Sequence, residues 1–286
     1  MTRIAVVTDS TSDLPPDVAA SAGITVVPLY VRFGATEYRD GVDITTAQFW
    51  ERLLAPGSAF PTTAAPSPGT FRDTFEACFA AGAEAVVCPL IGSKLSGTFQ
   101  SATVAASMLP EREIHLIDTG TTSMGTGMVA LLAAELGATG ITAAAVADAV
   151  RARLVDLDLY VAVDTLEYLR RNGRLSAARA AIGTVLSVKP IITVRDGEVI
   201  LDRTTRTRGK ARDLAIDLIT AAPLERVCIM HTPTSTAAEV ADFRNRLIAK
   251  IPGGIDPTKV MVALIGSSTG PHLGPDLMGA ILLRAH

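Results

Sequence analysis

The sequence predicts an α/β protein of two domains, the first built on a mostly parallel sheet flanked by helices and the second a smaller α+β unit. Two observations support this prediction. In the first half, short apolar runs are continuous rather than alternating, as in strands covered on both faces, and helical patterns separate them. In the second half, Asp196-Gly197 lies between two β-rich runs and predicts an antiparallel hairpin. We place the domain boundary near residue 157, which gives domains 1–157 and 158–286.

The elements of the first half follow from local pattern. The branched apolar runs predicted to be strands are Ile4–Val7, Ile24–Val31, Ala85–Leu90 and Ile114–Ile117. The amphipathic patterns between them predict helices over Phe49–Leu54, Thr70–Ala81, Thr98–Leu109 and Gly125–Leu136. Segment 36–43, TEYRDGVD, carries a hairpin-like turn signal and is interpreted as an insertion in the sheet. Segment 61–68, PTTAAPSP, is expected to form a proline-stiffened loop.

The second half begins after a helix predicted over Ala143–Leu154. The predicted strands that follow are Leu159–Val163, the two arms of the 196–197 hairpin, Val227–Met230 and Val260–Ile265. Helices are predicted over 209–221 and 236–249. Hairpin pairing together with helices indicates an α+β unit.

Composition excludes several classes of function. Of the 286 residues, 48% are hydrophobic and 19% charged, and the net charge is −3 with no basic block, so nucleic acid and anionic membranes are poor partners. No apolar stretch approaches the roughly 18 residues of a membrane-spanning helix, and the N-terminus lacks the pattern of a signal peptide. The three cysteines have neither metal-site nor CxxC spacing, so we expect core thiols in a reducing, cytoplasmic protein.

Polar segments follow three predicted strands, at 8–11, 92–98 and 118–123, where an open α/β sheet binds its ligands. Thr62, Thr63 and Ser67 in segment 61–68 add further hydroxyls. Ser96-Gly97-Thr98 opens a helix, and the free N–H groups and dipole of such a terminus favour a phosphate or a carboxylate. Ordinary turn and capping chemistry remains the alternative for each segment taken alone.

Common catalytic and nucleotide-binding motifs are missing from the sequence. It contains no GxxxxGK[ST], GxGxxG or HExxH, and its carboxylates form no acid/base pair by spacing. His272 lies in GPHLGP, whose prolines and glycines fix the backbone around one imidazole, so it is either a binding residue or a turn cap. Two arginine-rich runs, 170–181 and 202–211, are either solvated surfaces or anion-binding and docking surfaces.

These pieces together resemble a family. The ordered motifs TDSTSDLP, YRDGVDIT, PTTAAPSP, SKLSGTFQSA, DTLEYLRRNGRLS, KPIITVRDGEV, TRTRGKA and GPHLGP are similar, over nearly the whole chain, to the DegV family of bacterial fatty-acid-binding proteins. The resemblance implies one long-chain fatty acid with a buried tail, bound between the two domains. It also implies a non-catalytic protein that presents the carboxyl group to a separate ATP-dependent fatty-acid kinase subunit, which forms acyl phosphate for phospholipid synthesis.

The resemblance also assigns residues. It implies that Thr63, Ser96, Gly97, Arg208 and His272 surround the fatty-acid carboxylate. It implies a docking role toward the kinase or the membrane for Arg174. The chain departs from the family pattern at four positions, which are Ala64, Ala65, Asn172 and Asp276.

Two other functions remain open at this level. One is a stand-alone lipid carrier or buffer, and the other is a small-molecule phosphotransferase that uses the helix terminus at Ser96 together with Asp9. We expect no metal, no cofactor, no catalytic residue and no nucleic-acid partner. A monomer that makes at most transient membrane contact is the expected state.

Overall fold

The computed structural model describes residues 3–175 and 188–285. Its first sheet has the order β2-β1-β6-β7 and is parallel at each pairing. The elements of the N-terminal half are β1 Ile4–Asp9, α1 Pro16–Ser21, β2 Ile24–Val27, β3 Tyr30–Phe33, β4 Thr36–Arg39, α2 Thr46–Leu54, β5 Pro61–Ala64, α3 Pro68–Ala80, β6 Ala85–Leu90, α4 Thr98–Ser107, β7 Glu113–Asp118, α5 Met124–Gly137 and α6 Ala143–Arg153.

Helices cover both faces of this sheet, which explains why its strands read as continuous apolar runs. Phe71, Phe75 and Phe79 of α3 pack with the small residues of α4 on one face. Val129 and Ala133 of α5 pack with α6 on the other. The α/β prediction for this half is confirmed, and β6 has the predicted bounds.

A small antiparallel sheet of order β4-β3-β5 lies beside the parallel one, and it corrects two predictions. The single strand predicted over Ile24–Val31 is wrong: it is two strands, β2 and β3, in different sheets. Pro28, which lacks a backbone N–H, lies between them. The loop predicted at 61–68 is also wrong in part, because its first four residues form β5 opposite β3. Pro61 is tolerated there as the first residue of a strand.

The second large sheet has six strands in the order β10-β9-β8-β13-β11-β12, with one parallel pair, β11 and β12. The elements of this half are β8 Leu157–Ala162, α7 Glu167–Arg171, β9 Lys189–Arg195, β10 Glu198–Thr205, α8 Arg208–Ile219, β11 Leu224–His231, α9 Ala237–Lys250, β12 Val260–Leu264, α10 Gly270–Leu273 and β13 Met278–Arg284. The mixed sheet and its helices confirm the predicted α+β character.

The two faces of the six-stranded sheet have different partners. One face packs against α8 and α9, through residues such as Ile216 and Phe243. The other face contributes Leu159, Val161 and Ile281 to an apolar layer shared with the N-terminal half. Phe49, Trp50, Met124 and Met128 of α2 and α5 complete that layer, which we call the interdomain layer.

The β9–β10 hairpin is confirmed at Asp196-Gly197, both of which have positive φ as a tight two-residue turn requires. Sequence analysis missed β13, although it is a central strand of the sheet. The first strand of this sheet begins at Leu157, but the domain boundary itself stays a prediction. Within residues 3–175 and 188–285, no helix is long and apolar enough to cross a membrane.

Candidate functional site

At the hydroxyl-rich edge of the parallel sheet, the two aspartates Asp9 and Asp118 form hydrogen bonds with nearby backbone N–H groups. The buried carboxyl of Asp9 accepts hydrogen bonds from Thr11 N and Ile91 N, both at 2.9 Å. Asp118 accepts from Ser93 N and Gly120 N at 3.0 Å each. These two carboxyls therefore act as turn and cap acceptors, which was the alternative interpretation of both segments.

The structure brings two of the predicted binding residues into direct contact. Thr63 Oγ1 lies 2.9 Å from His272 Nε2, although the two residues are 209 positions apart in the chain. Thr63 is presented by β5, where it pairs opposite Val31. His272 is presented by α10 from the C-terminal half. The contact therefore joins the two halves of the molecule at a partly buried position.

The helix that carries His272 is framed tightly, as the GPHLGP motif predicts. Pro271 occupies its first turn, where its missing N–H costs nothing. Gly274 ends it at a φ of 70°, and a Cβ there would overlap the ring of Tyr168. Asn172 Nδ2 donates to Pro271 O at 2.6 Å, which ties α10 to the turn after α7.

The imidazole of His272 is neutral at physiological pH. Burial and the positive charge of Arg174 lower the pKa of His272 to about 3. Its Nδ1 is buried and has no hydrogen-bond partner within the described part of the chain. His272 therefore offers a neutral hydrogen-bonding group, and the positive charge beside it belongs to Arg174.

Ser96 and Gly97 lie at the start of α4, as predicted. Ser96 Oγ is 2.9 Å from Thr98 Oγ1 and accepts from Thr98 N at 3.3 Å. Gly97 is the N-cap residue and has no side chain to cap the helix. Ser96 therefore engages the first N–H of α4, and the start of a helix beside two hydroxyls suits an anion.

Arg174 links the two parts of the site. Its Nε donates to Leu95 O at 3.3 Å, next to Ser96, and its Nη1 donates to Asn172 O at 2.6 Å. Its charge also reaches His272. A cavity of about 360 Å³ lies beside it and is lined by Ser96, Gly97, Gly173 and Arg174 among other residues.

Arg208 lies at the start of α8 and is half exposed. Its Nε donates to Asp164 at 2.7 Å, and its Nη2 lies 3.0 Å from Asp276 Oδ2. These pairs raise the pKa of Arg208 and lower that of Asp164. Among residues 3–175 and 188–285, Arg208 is connected to the His272 segment through Asp276, four residues after His272 in the chain.

Two of the four departures from the family pattern have structural partners. Asp276 pairs with Arg208, so its negative charge is compensated. Asn172 makes the bond to Pro271 O that sequence analysis did not foresee, because only the folded chain brings the two residues together. Ala64 and Ala65 are partly buried beside Thr63 and add no polar group.

The arrangement as a whole brings groups suited to binding an anion to the junction of the two halves. It contains hydroxyls, one neutral imidazole, a helix N-terminus and one guanidinium. The described residues contain no group of three side chains suited to holding a metal ion.

Comparison with known proteins adds the family context. A family model described as an uncharacterised protein of the DegV family matches residues 3–285. A DegV domain-containing protein of Caldanaerobacter subterraneus subsp. tengcongensis is 34% identical over 283 residues, which is 98% of each chain.

Solved structures with the same fold include two that are described by their ligand. One, described as fatty acid binding of a DegV family protein from Thermus thermophilus, is 34% identical with a TM-score of 0.89 and covers 99% of this chain and 100% of its own. The other, a stearic acid-binding protein from Eubacterium ventriosum, is 26% identical with a TM-score of 0.88 and covers 99% and 98%.

Proposed function

The chain belongs to the DegV family, and we propose that it binds one long-chain fatty acid and presents the carboxylate to a separate ATP-dependent fatty-acid kinase subunit. In this proposal Thr63, Ser96, the Gly97 N–H and His272 hold the carboxylate. The kinase converts the bound acid to acyl phosphate. The chain itself contributes binding and orientation, and we assign it no catalytic residue.

The Thr63–His272 contact is the observation that carries this proposal. It places a hydroxyl and a neutral imidazole from different halves 2.9 Å apart, near the guanidinium of Arg174, which also donates to Leu95 O next to Ser96. A carboxylate needs few donors of this kind, and charge-assisted bonds to it are stronger than neutral ones. Fatty-acid binding by the related protein from Thermus thermophilus supports the same ligand class.

The interdomain layer would supply the walls for the acyl tail. Its described members are apolar and buried, and Met124, Met128, Leu159 and Ile281 among them are aliphatic. Burying about 14 methylenes at roughly 0.8 kcal/mol each gives on the order of 11 kcal/mol before ordering costs. The tail would therefore dominate affinity, and the polar groups would fix orientation.

Arg174 and Arg208 have different parts in the proposal. Arg174 supplies positive charge near the carboxylate, and the docking role predicted for it toward the kinase or the membrane stays a prediction. Arg208 is already neutralised by Asp164 and Asp276. We therefore assign Arg208 to the rim of the site, where it would stabilise the extra charge of the acyl phosphate.

Native mass spectrometry of the purified protein tests ligand binding directly. We expect a protein species heavier by one fatty acid, and solvent extraction should identify it as a long-chain acid. A protein that carries no lipid and also fails to bind added stearate would contradict the proposal.

Reconstitution tests the presentation step. The stearate-loaded protein, incubated with ATP and the kinase subunit of the same organism, should yield acyl phosphate, trapped as the hydroxamate. His272→Ala and Ser96→Ala should lower the yield at equal kinase concentration. Binding without phosphorylation would favour the stand-alone carrier, whereas ATP turnover by the isolated chain would favour a phosphotransferase.

A further inference from the structure

The loop of residues 265–269 joins β12 to the helix that carries His272, and N-terminal side chains hold it on several sides. Trp50 Nε1 donates to Ile265 O at 2.8 Å. A Cβ on Gly270, the first residue of α10, would overlap the ring of Phe49. Within the loop region, Gly270 N donates to Gly266 O at 2.8 Å and His272 N to Thr269 O at 3.1 Å. The position of the loop therefore determines the position of His272.

Asp13 is the first of two buried carboxyls that grip this loop. Its Oδ1 accepts from Gly266 N at 3.1 Å and from Thr269 Oγ1 at 3.2 Å. Its Oδ2 accepts from Ser123 Oγ at 2.5 Å, at the start of α5. Asp13 thus connects the N-terminal half to both ends of the loop's final turn.

Asp40 carries the second buried carboxyl that holds the 265–269 loop. Its Oδ2 accepts from Ser268 N at 3.1 Å and from Ser268 Oγ at 2.5 Å. Ser268 Oγ also lies 3.0 Å from Ser10 Oγ, which in turn accepts from Leu29 N. Each carboxyl of the pair therefore holds a different residue of the same loop.

Burying the two carboxyls of Asp13 and Asp40 costs free energy of folding, because burial removes them from water. Their hydrogen-bond partners in the described chain are hydroxyl and amide groups. The nearby titratable side chains are Asp9, Cys228 and His231, the last of which lines a cavity with both carboxyls. Burial, together with repulsion from Asp40, raises the pKa of Asp13 to about 8, and burial also raises the pKa of Asp40. Hydrophobic residues would stabilise the fold more simply, which points to a requirement for the loop's position.

We propose that Asp13 and Asp40 are positioning residues for the fatty-acid head group, fixing the 265–269 loop so that α10 holds His272 against Thr63. The inference rests on the proposed function. It adds that head-group recognition depends on two carboxyls that do not contact the ligand. The acyl tail, which binds in the interdomain layer, is expected to be insensitive to them.

A comparison of stearate with methyl stearate tests whether the two carboxyls affect head-group recognition without affecting binding of the tail. Both ligands, delivered from cyclodextrin, are titrated into the purified protein and followed by Trp50 fluorescence and calorimetry. In Asp13→Ala and Asp40→Ala the preference for the acid over the ester should fall by about tenfold, the value of one bond to a charged group, while ester affinity changes less than about twofold. Asp13→Asn, which keeps an acceptor for Gly266 and Thr269, should restore most of the preference.

Asp43→Ala is the matched control, because Asp43 lies three residues from Asp40 but is exposed and pairs with Arg39. Thr269→Val removes one hydrogen bond to Asp13 and is the substitute test if Asp13→Ala does not fold. The preference of Thr269→Val for the acid over the ester should also be lower than that of wild type. An unchanged preference in folded variants, or equal losses for acid and ester, overturns the positioning role alone. A wild-type protein with no preference for the acid overturns the proposed head-group site, and the positioning role with it.

Discussion

Two of the polar junctions between the halves of this protein differ in how completely their hydrogen-bonding groups are satisfied. The acid junction consists of Asp13 and Asp40 with the 265–269 loop, and each of these carboxyls accepts at least two hydrogen bonds. The head-group junction consists of Thr63, Ser96, Arg174 and His272. There, His272 makes one bond to Thr63, and its Nδ1 is buried without a partner among the described residues.

This difference is the reason for proposing a structural role for the acid junction and ligand binding at the head-group junction. The carboxyls of the acid junction have their lone pairs occupied by donors, so they have little capacity left for a further ligand. A neutral imidazole beside a guanidinium has both the capacity and the favourable charge. Abundance of hydroxyls, which both junctions share, does not distinguish them.

The largest expected effect is the pH dependence of the acid junction. The folded protein keeps a proton on Asp13 up to about pH 8, whereas the ordinary pKa is 3.8. The stability linked to this proton is therefore full below pH 4 and is lost as pH rises through about 8. In urea unfolding between pH 5 and 9, Asp13→Asn should lose less stability than wild type.

Asp43→Asn is the control for that measurement. The Arg39 guanidinium lowers the pKa of Asp43 to about 2, so its contribution is lost only as pH falls toward that value. The alkaline slope should then be the same as in wild type. An unchanged alkaline slope in Asp13→Asn would show that Asp13 is ionised in the folded protein.

Steric substitution at Gly266 would disturb the acid junction directly. A Cβ at this position would overlap Asp13 Oδ1, so Gly266→Ala must displace the carboxyl or the loop. We expect a loss of about 1–3 kcal/mol in the free energy of unfolding, as for other overpacking changes. Gly209→Ala in α8, where a Cβ meets nothing within 4 Å, should instead stabilise by about 0.5–1 kcal/mol. Equal stability of the two variants would argue against the close approach.

At the head-group junction, the contribution of a single hydroxyl can be tested by removing that of Thr63. Thr63→Val should weaken stearate binding by about tenfold, because a bond to a charged group is lost, with little change in stability. Thr62, the preceding residue of β5, is exposed, and its side chain lies on the opposite face of the strand. Thr62→Val should therefore bind like wild type in calorimetry. Equal losses in both variants would place the carboxylate elsewhere.

The smallest effect on stearate affinity is expected for Arg208, which we assigned to the rim of the site. Arg208 is engaged by Asp164 and Asp276, so Arg208→Gln should change stearate affinity by less than about twofold, as exposed ion pairs generally do. Retention of acyl phosphate should fall more, because the added charge loses a partner. A large loss of stearate affinity would instead move Arg208 into the carboxylate site.

Local pattern was enough to predict most elements of the fold. Helices α2, α3, α4, α5 and α6 lie where amphipathic periodicity placed them, since side chains three and four positions apart share a helix face. The β9–β10 turn followed from two residues that tolerate positive φ. The errors occurred where pairing partners are distant: β5 became a strand only through β3, and β13 only through its neighbours in the six-stranded sheet.

For the site, the sequence by itself determined the inventory: hydroxyls at a helix start, a framed histidine, and motifs specific enough to indicate the family. Tertiary structure alone decided which of these groups meet. Thr63 and His272 are 209 residues apart, and Asp13 and Thr269 are 256 apart, so no local spacing predicts either contact. It also decided charge, because burial and Arg174 make His272 neutral, and burial keeps a proton on Asp13. Desolvation depends on what surrounds a group in space, and sequence neighbours do not report it.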